Sequence, residues 1–166
     1  MKKTSVFVLL LFVLMTIAAF ASEDDGDDKE CRVGESANVG GLSVRVESVT
    51  PYKEKNSVMA ERLKGQYKGV PMNYYAVEIF ILNGSRNSFE FSPYQFSLAD
   101  TNGDEHQWCI STREPKLEGK VLNPGMAAKG FLVFGIPQTS APEKVVFDPA
   151  YLYDGMVYFY TGSIGQ

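Results

Sequence analysis

The sequence is short of the residues that chemistry needs. It has one histidine (His106), two cysteines (Cys31 and Cys109) and one tryptophan (Trp108) in 166 residues. Nucleophilic hydrolysis wants a serine or cysteine beside a base, and His106 has no evident nucleophile in its neighbourhood. A pair of carboxylates working as in glycoside hydrolysis finds little support, because the acidic residues fall mostly in turns and on strand faces. Two thiols without histidine partners make a weak metal site. Met72, Met126, Met156 and His106 lack the close spacing a copper carrier requires, and methionine is a common core filler. These shortages point away from an enzyme and away from a resident cofactor or metal.

Basic charge of any density is also missing. The net charge is −4, and no run of Lys and Arg offers the phosphate neutralisation on which nucleic-acid affinity depends. The same shortage removes an electrostatic reason to bind anionic lipid. No long helical period, internal repeat or second long apolar run occurs.

The N-terminus reads as an export signal over residues 1–21. Lys2 and Lys3 precede an apolar stretch from Val6 to Phe20, and Ala19-Phe20-Ala21 forms a small-x-small cleavage site. The stretch is shorter than the roughly 20 residues of a spanning helix. Ser22 follows Ala21 where a lipidated chain would have cysteine. A secreted or envelope-associated protein is expected, without membrane insertion after cleavage. Residues 22–31 begin SEDDGDDKE and read as an acidic disordered linker, leaving residues 32–166 as one domain.

That domain reads as strands. Leu42, Val44 and Val46 alternate with polar neighbours, and the strand is expected to stop at Thr50-Pro51 because proline cannot donate to a central ladder. Tyr74 to Leu82 is almost continuously apolar, the mark of a central strand covered on both sides. Phe89 and Phe91 flank Glu90, and Phe96 and Leu98 flank Ser97. Asp100 to Asp104 reads as a hairpin around Asn102-Gly103; its acidic ends invite a calcium reading, but the glutamate of a calcium loop is missing from that register. His106, Trp108 and Ile110 share one strand face, which places Trp108 in the core and Cys109 outward. Asn123-Pro124-Gly125 reads as a type II turn. Ala127 to Ile136, Lys144 to Phe147 and Tyr151 to Thr161 complete the set. Short strands with regular turns predict an all-β, antiparallel immunoglobulin-like β-sandwich of about seven to nine strands.

Four features within this frame carry possible function. The stretch from Tyr52 to Gly69 is polar and the least sheet-like, with a short helical turn over Val58, Met59, Arg62 and Leu63; as an excursion from a sandwich it is a place for binding. Tyr151, Tyr153, Tyr158 and Tyr160 form a candidate binding surface, since tyrosine suits interfaces. Cys31 and Cys109 form a candidate disulfide, permitted by export, that would stabilise the fold by roughly 4 kcal/mol. Asn83-Gly84-Ser85 has the pattern of a glycosylation acceptor.

Several motifs recur in a familiar order: Val33-Gly-Glu-Ser36, Leu42-x-Val44-x-Val46, and Tyr75-Ala-Val-Glu-Ile with Asn83. Phe96-Ser-Leu98-x-Asp100 with Gly103, Leu122-Asn-Pro-Gly125, and Gly130 to Pro137 follow. This layout resembles the immunoglobulin-like domain of unknown function of bacterial secreted proteins and lipoproteins, which is similar to the mycobacterial immunoprotective extracellular antigen family. The resemblance implies the sandwich fold and carries no catalytic residues. The expected role is a non-enzymatic module that binds a protein partner at the cell surface or outside the cell. The alternative is a protease-inhibitor-like module that inserts the excursion at 52–69 into a protease cleft.

Overall fold

A computed structural model of the chain describes residues 27–162. The expected signal at 1–21 and the start of the acidic linker lie outside the described residues. The strands are β1 (Lys29–Arg32), β2 (Ser36–Val39), β3 (Leu42–Tyr52), β4 (Met72–Asn83), β5 (Phe89–Phe91) and β6 (Phe96–Asp100). They continue with β7 (Glu105–Cys109), β8 (Lys120–Leu122), β9 (Ala127–Pro137), β10 (Pro142–Phe147) and β11 (Val157–Tyr160). A helix, α1 (Ser57–Gln66), lies between β3 and β4.

Nine strands form one ladder in the order β1-β11-β10-β6-β7-β9-β4-β3-β2. It folds into two layers because β7 changes partners along its length. Its first residues pair with β6, Leu98 opposite His106. Its last two pair with β9, Trp108 opposite Phe134 and Cys109 opposite Val133. β7 is therefore the corner strand of the sandwich. The β5–β8 ribbon, with Phe89, Phe91 and Leu122 buried, forms a separate small sheet.

Period-two alternation accounts for the core. Val44, Val46, Val77, Ile79 and Ile81 point inward from one layer, and Phe96, Leu98, Val145, Phe147 and Phe159 from the other. Phe96 and Phe147 stack with centroids 4.7 Å apart. The outer face of β4 carries a second, smaller cluster, where Leu63 of α1 covers Ala76, Cys109 and Val133. The helical turn expected near Val58 is thus a ten-residue helix, and β4 is covered on both faces only where that helix lies.

Several expectations need correction. The described residues hold eleven strands, because three- and four-residue strands such as β1 and β8 are too short to announce themselves by alternation. Residues 29–31, assigned to the disordered linker, are the first strand; their main chain pairs in parallel with β11, Glu30 opposite Tyr158, which needs no apolar side chain. β3 runs through Pro51 to Tyr52, since β2 pairs with it only as far as Arg45 and Pro51 lies where β3 is an edge. Asn83, the expected glycosylation acceptor, is fully buried. Its amide donates to the carbonyls of Asn87 and Leu122 at 2.8 and 2.7 Å, and its oxygen accepts from Ser85. It ties the loop after β4 to the end of β8 and presents no nitrogen to a glycosylating enzyme.

Candidate functional site

The partner change in β7 leaves an opening. Beyond Gln107 the strand leaves β6, and segment 110–119 swings across the end of β9. Phe131 N–H donates to the Pro115 carbonyl at 2.8 Å, and Leu117 N–H donates to the Phe131 carbonyl at 3.1 Å. Gly130 permits this approach, because a Cβ there would stand 2.6 Å from Leu117 N. Between this segment and the corner lies a cleft of about 330 Å³ lined by Pro93, Trp108, Ile110, Lys116, Leu117 and Phe131, among others. Its wall reaches the main core, of which Leu117 and Leu132 are members.

The rim of the cleft is apolar and exposed. Tyr94 is 72% exposed and tilts against Trp108 with ring centroids 5.5 Å apart. Ile110 is 59% exposed. Trp108 is half-buried rather than fully in the core, and its indole N–H is shielded without a hydrogen-bond partner among the described residues. Ile110 also borders a smaller hollow of about 220 Å³ with Met59, Arg62, Leu63 and Gln66 of α1. Isolated exposed apolar residues are ordinary; a contiguous set around a cleft marks an interaction surface.

A carboxylate clasp ties the approach to α1 onto segment 110–119. Glu54, just ahead of α1, accepts from Thr112 N–H at 2.8 Å and Thr112 Oγ1 at 2.5 Å. Tyr52 Oη and Asn56 N–H also donate to it, each at 2.9 Å. Burial alone would raise the Glu54 pKa, but these donors outweigh it and hold the carboxyl at about 2. The helix is further fixed by its Asn56 cap, whose Oδ1 accepts from Met59 N–H at 3.1 Å. Tyr67, beyond its end, rests on Gly135, where a Cβ would meet Tyr67 Oη at 2.8 Å.

The expected disulfide is not formed. Cys31 and Cys109 are free thiols in different settings. Cys31 sits in β1 and packs against the main core. Cys109 does point away from that core, as alternation required, but α1 covers it. Its thiol donates to the Val133 carbonyl at 3.2 Å, and burial pushes its pKa up to about 12. A cysteine held so is inert.

The tyrosine set is engaged within the chain. Tyr153 is buried, with its hydroxyl donating to the Asp27 carbonyl. Tyr158 and Tyr160 donate to the Asp28 and Glu30 carboxylates at 3.3 and 3.1 Å. The side chain of Tyr151 lies outside the described set. These residues hold β1 against β11 instead of forming an open surface.

Ser140, His106 and Asp100 come together, but not as a catalytic relay. Asp100 is fully buried. Its Oδ2 accepts from Ser140 Oγ at 2.7 Å and His106 Nε2 at 3.0 Å, and its Oδ1 from the amides of Asn102 and Asp104. Burial works to raise its pKa, yet the four donors prevail and hold it at about 2. The serine bonds the carboxylate rather than the imidazole, and a carboxylate held at about 2 is too weak a base to activate its hydroxyl. The same bonds explain the hairpin: Asp100 clamps its turn, and Gly103 takes φ +86°. Among the described residues, no three His, Cys, Asp or Glu side chains gather as a metal site.

Residues 31–157 match the family model described as a domain of unknown function, DUF4352. The fold is similar to that of MPT63, a secreted protein of Mycobacterium tuberculosis, at 14% identity over 79% of this chain and 95% of that one, with TM-score 0.58. The yjhA protein of Bacillus subtilis is 18% identical over 79% of this chain and 98% of that one, with TM-score 0.54. A candidate lipoprotein of the same organism, ycdA, is 12% identical over 70% of this chain and 34% of that one, also with TM-score 0.54. Identities this low establish a shared fold. No curated protein sequence matches the chain significantly.

Proposed function

We propose, from the premise that this chain belongs to the DUF4352 family, that it works outside the cytoplasm as a non-enzymatic protein-interaction module. Its docking surface is the cleft mouth formed by Tyr94, Trp108 and Ile110. The observation that carries the reading is the joint exposure of Ile110, on the cleft, and of Tyr94, which packs against the cleft residue Trp108. Aromatic and aliphatic anchors beside a concavity are what a partner side chain buries against. The N-terminal signal pattern and the fold shared with a secreted protein support the location.

The inhibitor reading has less support. Residues 52–69 hold a helix rather than an extended loop, and protease clefts take extended segments. The helix serves instead as one wall of the hollow beside Ile110.

The test is capture of partners from the secreted and envelope fractions of the protein's own source, with residues 22–166 as bait. Tyr94→Ser and Ile110→Glu alter exposed side chains, so each variant should keep its stability within about 0.5 kcal/mol. The expected result is a saturable partner whose affinity falls at least about tenfold in the folded double variant. Equal capture by both baits would remove the cleft from the interface.

A further inference from the structure

We propose that the partner docks through an acidic segment, with one apolar side chain that enters the hollow between Ile110 and α1 and a carboxylate that pairs with Arg62. The proposal rests on the docking surface around Trp108 and Ile110 and states what that surface selects. Charge is unevenly spread along the chain. Residues 53–68 carry Lys53, Lys55, Arg62, Lys64 and Lys68 against Glu54 and Glu61, in a chain whose net charge is −4. Both carboxylates are already engaged, Glu54 by its four donors and Glu61 by Lys64 at 2.7 Å. Lys53, Lys55, Arg62 and Lys68 are exposed, and among the described residues their side chains form no ion pair or hydrogen bond. An acidic protein thus keeps four unpaired cations on one excursion.

Two arginines bracket the exposed Ile110. Arg62 lines the hollow of about 220 Å³ together with Ile110, Met59 and Leu63. Arg113 lies over the ring of Phe131 at 4.1 Å, and Phe131 lines the main cleft with Ile110. Inside that cleft Lys116 and Glu118 balance in sign, so the positive excess lies on the side of α1. Val58, exposed on the helix, adjoins Arg62 and adds apolar surface beside the cation. A guanidinium receives a carboxylate in a two-pronged fork and, being weakly hydrated, tolerates apolar neighbours. The concavity next to it takes a convex side chain, which a flat bilayer does not supply. Outside residues 53–68 the chain is more acidic still, so an extended anionic surface is repelled once within about 8 Å. A short acidic segment meets the basic face alone. Shape and charge complementarity therefore favour a protein segment over a lipid surface.

The test selects peptides from a random displayed library on residues 22–166, with the Arg62→Glu, Ile110→Glu double variant as counter-bait. The selected peptides are then made synthetically and titrated by fluorescence anisotropy. Both altered side chains are exposed, and urea unfolding checks that each variant folds. The expected peptides carry Asp or Glu beside a Leu, Ile or Phe. Arg62→Glu should weaken them at least about tenfold, because it sets like charges face to face. Arg62→Lys, which keeps the charge, should weaken them far less, and added NaCl should weaken binding to the unchanged chain more than to Arg62→Glu. Selected peptides without enrichment in Asp and Glu, or acidic peptides indifferent to Arg62→Glu, would overturn the proposal. If those peptides still lose affinity for Tyr94→Ser and Ile110→Glu, the cleft stays the docking surface and only the acidic partner is rejected. Failure to select any peptide that prefers the unchanged chain to the counter-bait also overturns it. Phosphatidylglycerol vesicles that then sediment the unchanged chain but not Arg62→Glu would assign the face to a membrane instead.

Discussion

At the scale of single residues, the polar side chains that matter most are buried and fully partnered. Asn83 is the clearest case. Replacing it with alanine strips the carbonyls of Asn87 and Leu122 of donors and Ser85 of an acceptor, in a site closed to water. Orphaned groups of this kind, added to the lost bonds, make Asn83→Ala about 3 kcal/mol less stable in urea unfolding. A loss under about 1 kcal/mol would show that water reaches the site. Asn83 also shows how a motif misleads: the acceptor triplet was legible in the sequence, whereas burial, which decides its fate, depends on loops far along the chain. Cys109 repeats the lesson. Alternation correctly set its direction, but nothing local announced that α1 would cover it.

At the scale of elements, the clasp between the α1 approach and segment 110–119 is the feature with a pH signature. The Glu54 carboxyl is held at about 2, below its ordinary 4.5. A depressed folded pKa means that its contribution is complete above about 4.5 and is lost as pH falls toward 2. The Thr112 amide donates to this carboxylate, so its NMR shift should titrate with a midpoint near 2 and lose that titration in Glu54→Gln. A midpoint near 4.5 would show that the clasp does not form in solution. Elements fixed by backbone geometry were readable in advance. Asn102-Gly103 and Pro124-Gly125 demand particular φ values, and both turns form, with Gly125 at φ +78° and Met126 N–H donating to the Asn123 carbonyl. β1 was unreadable because main-chain pairing with β11 needs no apolar side chains from its charged sequence. The length of α1 was hidden for a similar reason, since only Leu63 of its residues is buried.

At the scale of the whole molecule, the corner strand is what turns a sheet into a site. A β7 that stayed with β6 throughout would close the side of the sandwich, and no cleft would open between the layers. The alternation of Val44, Val46, Val77, Ile79 and Ile81 made the sandwich legible. The cleft was not, because Pro93, Trp108, Leu117 and Phe131 are scattered along the chain and share no period. The surface expected from composition, the tyrosine-rich end, is spent on seating β1, and the docking surface proposed above lies around Trp108. Amide hydrogen exchange on the mature chain, with and without the secreted and envelope fractions of its source, separates the two directly. The account predicts new protection at residues 108–119 and at Tyr94, with β11 unchanged. Protection confined to β1 and β11, or none anywhere, would contradict it.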